Sequence, residues 1–100
     1  MILSSFTFNV NFSHALLFEQ SLRNDYIPFV ENSEGVHEIK VYKLLTEVDN
    51  GGDTVSMQVF FKTMESFMEF ELNQKDKLIG LIESKYRGNY VFFHTLLKEF

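Results

Sequence analysis

The segment "NYVFFHTLLKEF", residues 89–100, decides the fold, because it supplies the last strand and poses the question of what covers that strand. Its β-branched and aromatic content favours extended structure. In a strand, Tyr90, Phe92, His94 and Leu96 point one way while Val91, Phe93, Thr95 and Leu97 point the other, so both faces are apolar. One face can rest on the protein's own helices. The other needs a partner.

Working back from that strand, "RGN" at 87–89 reads as the stop of a helix. Its apolar positions Phe67, Phe70, Leu78, Leu81 and Ile82 run to about Tyr86, and Thr63 is placed to cap it. Before it, "TVSMQVFFK" is a strand, joined through the turn "DNGGD" at 49–53 to an Ile-, Val- and Tyr-rich strand between Val36 and Val48. At the start, Phe6, Phe8, Val10 and Phe12 alternate with Thr7, Asn9 and Asn11, which is a strand with one oily face. Ser13 is a suitable cap for a first helix over about 14–32, in which Pro28 should bend or restart the helix by clashing with the carbonyl of Asn24.

The resulting order is β-α-β-β-α-β, a single domain over residues 1–100. It predicts an α+β, ferredoxin-like fold, with a four-stranded antiparallel sheet in strand order 4-1-3-2 and both helices on one face. Counting alternate residues sets Phe6, Phe8, Val10 and Phe12 of the first strand against the helices. Val55, Met57, Val59 and Phe61 of the third strand join them. On the second strand Ile39 and Val41 compete with Tyr42 and Leu44. On the last strand the row with polar tips, Tyr90, Phe92, His94 and Leu96, is assigned to the open face. That face then carries Asn9, Ser56, Gln58, Phe60, Tyr90, Phe92 and His94, an amphipathic surface too apolar for a free monomer. A second copy of the chain, sheet against sheet, is the expected cover.

Composition narrows the partners. One hundred residues with twelve phenylalanines and 45% hydrophobic content make one globular domain. The formal charge of −5 disfavours nucleic acid and anionic membrane surfaces. The strand "TVSMQVFFK" also lacks the basic, glycine and aromatic signature of an RNA-recognition sheet of the same strand order. There is no cysteine, hence no disulfide or thiolate site. The opening "MILSSFTF" lacks the pattern of a signal peptide, and no apolar run is long enough to span a bilayer, so a cytoplasmic protein is expected.

With the strands placed, "NVN" at 9–11, "YIP" at 26–28, "SMQV" at 56–59 and "FHTLL" at 93–97 together resemble a family of short, largely bacterial proteins. That family carries only a domain-of-unknown-function name within the ferredoxin-like dimeric α/β-barrel superfamily. The resemblance spans essentially the whole chain and implies the fold and a dimer. It brings no activity. Tyr26 stands where the family pattern has His, and His94 where it has Arg.

No metal site is expected, because His14, His37 and His94 have no ligand-like neighbours at helical or strand spacing. Nor is a cofactor implied. Asn9, Ser56, Gln58 and His94 should converge on the open face, either satisfying one another across the dimer or offering donors and acceptors to a small molecule. The leading expectation is a small homodimer that encloses a ligand pocket, with no assignable activity. The alternatives are a cofactor-independent or haem-dependent oxygenase, in which His94, Asn9 and Gln58 position an aromatic substrate, and a regulatory ligand-binding module.

Overall fold

A computed structural model describes residues 1–46 and 51–100. The elements are β1 (Ile2–Asn11), α1 (Phe12–Ser21), a π-helical turn (Leu22–Tyr26), α2 (Ile27–Glu31), β2 (Glu38–Lys43), β3 (Gly52–Phe61), α3 (Met64–Asn73), α4 (Lys75–Tyr86) and β4 (Tyr90–Lys98). The sheet has four strands in the order β2-β3-β1-β4, and every neighbouring pair is antiparallel. This is the expected ferredoxin-like topology, with the helices split into shorter pieces.

The first helical stretch starts earlier than Ser13. Asn11 occupies the cap position without a side-chain bond to the helix's own N–H groups, its amide donating instead to Asn89 Oδ1 at 3.3 Å, while Ser13 Oγ lies 2.8 Å from His14 Nδ1. Phe12 accordingly opens α1 and is 63% exposed, so it does not join the row of Phe6, Phe8 and Val10. The chain leaves the sheet at Asn11, whose backbone N–H donates to Asn89 O at 2.9 Å. Pro28 acts as foreseen. It sits in the first turn of α2, where a missing N–H is harmless, and a wide π turn precedes it in which Ile27 N–H donates to Leu22 O.

The second helical stretch breaks at Gln74, with φ −121°, which separates α3 from α4. Thr63 caps α3 as predicted, its hydroxyl accepting from Ser66 N–H at 3.1 Å. Gly88 stops α4 at φ +80°, a left-handed conformation that glycine adopts without strain. Of the turn expected at 49–53, Asp49 and Asn50 lie outside the described residues. Gly51 has the anticipated positive φ, +77°.

The core lies between the sheet and the helices. Phe6, Phe8 and Val10 of β1 and Val55, Met57, Val59 and Phe61 of β3 are buried there with Phe18, Phe70, Leu78, Ile82 and Tyr86. Rings interlock across the layer: Phe61 meets Phe67 and Phe70 at centroid distances of 5.7 and 5.5 Å, and Phe18 meets Phe8 and Tyr86 at 5.4 and 5.1 Å. On β2 the register settles the ambiguity. Ile39 and Val41 pair with Val59 and Met57 on the helix side, which leaves Glu38, Lys40 and Tyr42 on the open face.

Candidate functional site

The sheet register decides which side chains share a surface. Asn9, Ser56, Gln58 and Phe60 lie on the open face as expected, with Asn9 Nδ2 donating to Thr54 Oγ1 at 3.1 Å. Lys40 stands over the Phe60 ring, 5.4 Å from its centroid. Tyr90, Phe92 and His94 do not join them. In the β1–β4 pairing they lie opposite Val10, Phe8 and Phe6, so they face the helices. Val91, Phe93 and Leu97 take the open face instead and are 59%, 69% and 48% exposed.

The physical reason for this reversal is that the helix layer and the strand beside β4 supply partners for the polar tips. Tyr90 donates its hydroxyl to Glu83 Oε2 of α4 at 2.7 Å. His94 Nε2 lies 2.6 Å from Ser4 Oγ, and its ring packs against Phe6 at 4.7 Å. Sequence reasoning passed over Ser4. Extending the Phe6–Phe8–Val10 alternation back by one step would have placed a buried hydroxyl on the helix side, ready for a histidine across the strand pair.

Around His94 the structure gathers two ionisable groups from the helix layer. Glu71 and Lys75, on either side of the break at Gln74, form an ion pair of 2.9 Å, and both side chains are largely covered. Glu71 Oε1 accepts from Lys75, whereas Glu71 Oε2 is buried with no hydrogen-bond partner among the described residues. Burial holds the His94 imidazole below its ordinary pKa. The Lys75 charge adds to that, and Glu71 opposes both. His94 is therefore neutral near pH 7, with a ring able to accept a proton.

A second polar cluster lies between the helices. Ser21 Oγ is 2.6 Å from the buried Tyr86 hydroxyl and accepts from Lys85 Nζ at 3.1 Å. Tyr26, turned inward by the π-helical turn, is 97% buried, taking its exposure as 3%. Its hydroxyl is pushed up to about 12, first by burial and then by Tyr86, against a lowering hydrogen bond from Ser21. Tyr90 is raised too, by burial and by its bond to Glu83. Both phenols stay protonated, and that of Tyr90 donates to Glu83. Tyr26 and His94 thus both lie in the layer between sheet and helices.

On the open face, Leu3 lies directly across from Phe60 on one side and from Leu97 on the other. These three, with Met1, Lys98 and Glu99, line a shallow pocket of about 290 Å³. Among the described residues no group of three or more His, Cys, Asp or Glu side chains is arranged to hold a metal ion, and no helix is long and apolar enough to cross a membrane.

A family model described as a domain of unknown function, DUF4286, matches residues 1–100. No curated protein matches the chain. Among solved structures it is similar to a putative antibiotic biosynthesis monooxygenase from Deinococcus radiodurans, with TM-score 0.73 and 13% identity over 100% of this chain and 93% of that one. It is also similar to an ethyl tert-butyl ether D family protein from Bacillus halodurans, with TM-score 0.72 and 14% identity over 100% of both chains. A third is SnoaB, a cofactor-independent oxygenase from Streptomyces nogalater, with TM-score 0.64 and 18% identity over 99% of this chain and 92% of that one. At these identities the likeness is one of fold alone, the ferredoxin-like arrangement of sheet and helices.

Proposed function

Since the chain belongs to the DUF4286 family, whose description assigns no activity, its role has to be read from its own surfaces, and we propose that it works as a sheet-to-sheet homodimer holding a small ligand at or near the junction. The observation that carries this reading is the row Val91, Phe93 and Leu97, large apolar side chains left uncovered on the open face beside Leu3 and Phe60. Burying each such side chain is worth about 1.5–3 kcal/mol. That is a strong incentive for a small chain to pair. Asn9, Ser56 and Gln58 give the same face hydrogen-bonding groups, which a partner or a ligand would satisfy. Composition favours neither nucleic acid nor membrane as a partner, and we assign the protein to the cytoplasm.

Light scattering of the purified protein tests the assembly. Wild type should be a dimer at micromolar concentration. Phe93→Glu should be a folded monomer, because in a two-fold interface one substitution introduces two carboxylates. A monomeric wild type overturns the reading. A thermal-shift screen of metabolites tests the ligand, and the same screen bears on a regulatory binding module.

The arrangement around His94 favours one second reading, a cofactor-independent oxygenase. A neutral imidazole fixed by Ser4 and close to the Glu71 carboxylate suits removal of a proton from an acidic aromatic substrate. That role separates His94 from Asn9 and Gln58, which lie on the other face of the sheet. A haem-dependent version gains nothing from this geometry, because His94 Nε2 already holds Ser4 Oγ. Oxygen uptake with phenolic substrates, lost in His94→Gln, is the expected outcome of this reading. Uptake unchanged in that variant would remove it.

A further inference from the structure

Among the described residues no side chain fills the pocket on the open face, and a few residues away lies one that none of them covers. Phe100 is fully exposed, at 124% of its reference area. Glu99, immediately before it, is part of the pocket wall and is pinned by its backbone N–H to Met1 O at 3.0 Å. Phe100 therefore emerges at the pocket's rim.

Size and lining match the two. An apolar cavity of about 150 Å³ holds a benzene ring, and this pocket offers about 290 Å³ walled by Met1, Leu3, Phe60 and Leu97. Lys98 lies across from buried Ile2, so its side chain belongs to the helix-side row, and the lining on the open face is mostly apolar. An uncharged ring suits such a site better than an ion does. We propose that the pocket receives the Phe100 ring of a second copy, each protomer filling its partner's pocket.

This inference rests on the sheet-to-sheet homodimer and adds where its symmetry axis lies. In a two-fold contact every interaction occurs twice, with pocket and ring exchanged. Because the ring and the wall of its socket are consecutive residues, the axis has to pass beside Glu99, at the end of the sheet formed by the start of β1 and the end of β4.

The chain has no cysteine, so an introduced one reports on proximity without competition. Under mild oxidation Glu99→Cys should form a disulfide-linked dimer, since residues beside the axis come within the roughly 7 Å between Cα atoms that a disulfide spans. Val91→Cys, on the same face at the far end of β4, should remain uncrosslinked. Phe100→Ala should weaken dimerisation at least about tenfold while leaving circular dichroism unchanged. If wild type dimerises but Glu99→Cys does not crosslink, or Phe100→Ala dimerises as tightly as wild type, this inference is overturned and the homodimer stands. A wild type that stays monomeric at all concentrations overturns both.

Discussion

β3 and β4 look alike as sequence, "VSMQVFF" against "YVFFHTLL", yet the alternation of β3 predicts its buried row and that of β4 predicts the wrong one. In β3 the rows differ in kind. Val55, Met57, Val59 and Phe61 alternate with Ser56, Gln58 and Phe60, and the more apolar row goes to the helices. In β4 both rows are apolar, and the choice falls to what each side offers a polar tip. The helix side offers Glu83 to Tyr90 and Ser4 to His94. The lesson is that a polar atom is not a vote for solvent when a partner is within reach.

The sharpest way to break the comparison is to put a charge on each row of each strand. Phe61→Glu should unfold the protein, since Phe61 is completely buried and a carboxylate there loses its hydration as well as about 1.5–3 kcal/mol of burial. Phe60→Glu should stay folded and lose the dimer. Circular dichroism and light scattering separate the two, and a folded Phe61→Glu monomer would reverse the faces of β3.

On β4 the same contrast is expected in gentler form, between Phe92 and Phe93. Phe92 is half-buried against Phe8 at 6.1 Å, so Phe92→Ala should cost about 2 kcal/mol in urea unfolding, below the 3–5 typical of a fully buried Phe. Phe93→Ala should leave the unfolding free energy of the monomer within about 0.5 kcal/mol. Equal losses would mean that β4 is rotated relative to the register described.

Tyr90→Phe isolates the polar tip. Removing the hydroxyl that donates to Glu83 should cost about 1 kcal/mol, measured as a lower urea midpoint at unchanged slope. An unaffected midpoint would show that Tyr90 reaches solvent.

The smallest effect belongs to His94 and depends on pH. Its folded-state pKa lies below the ordinary 6.5, first because burial disfavours the charged ring. The unfolded chain therefore binds this proton more readily than the folded one. Stability contributed by the neutral ring is complete above about pH 6.5 and is lost progressively as pH falls toward the folded-state value. His94→Gln should flatten this part of the stability profile between about pH 7.5 and 5. Glu71 and Lys75 from the helix layer and Ser4 from β1 are the groups set against the ring. Replacing Lys75 with Met should therefore flatten the same profile, because without that repelling charge the folded-state pKa moves back toward the unfolded value and the gap between them narrows.

Much of the fold was legible. The alternation of Phe6, Phe8 and Val10, the Thr63 cap, the disruptive Pro28 and the left-handed Gly88 each act locally, within a few residues of the feature they produce. The candidate site was legible by half. Asn9, Ser56, Gln58 and Phe60 share the open face because their rows are unambiguous, whereas Tyr90, Phe92 and His94 depended on partners distant in sequence. Ser4 is ninety positions from His94 along the chain. The break at Gln74 left no trace either, because no proline or glycine marks it.

By itself, then, the sequence determined the order of elements and the faces of β1 and β3, since periodicity and turn chemistry are properties of short stretches. Only the tertiary structure decided which row of β4 is buried, and with it that His94 and Tyr26 belong to the layer beneath the helices while Val91, Phe93 and Leu97 are exposed on the open face. An edge strand with two apolar faces is degenerate on its own. Its orientation is set by the sum of burial on one side and the hydrogen bonds available there, and that sum exists only once the helices have packed.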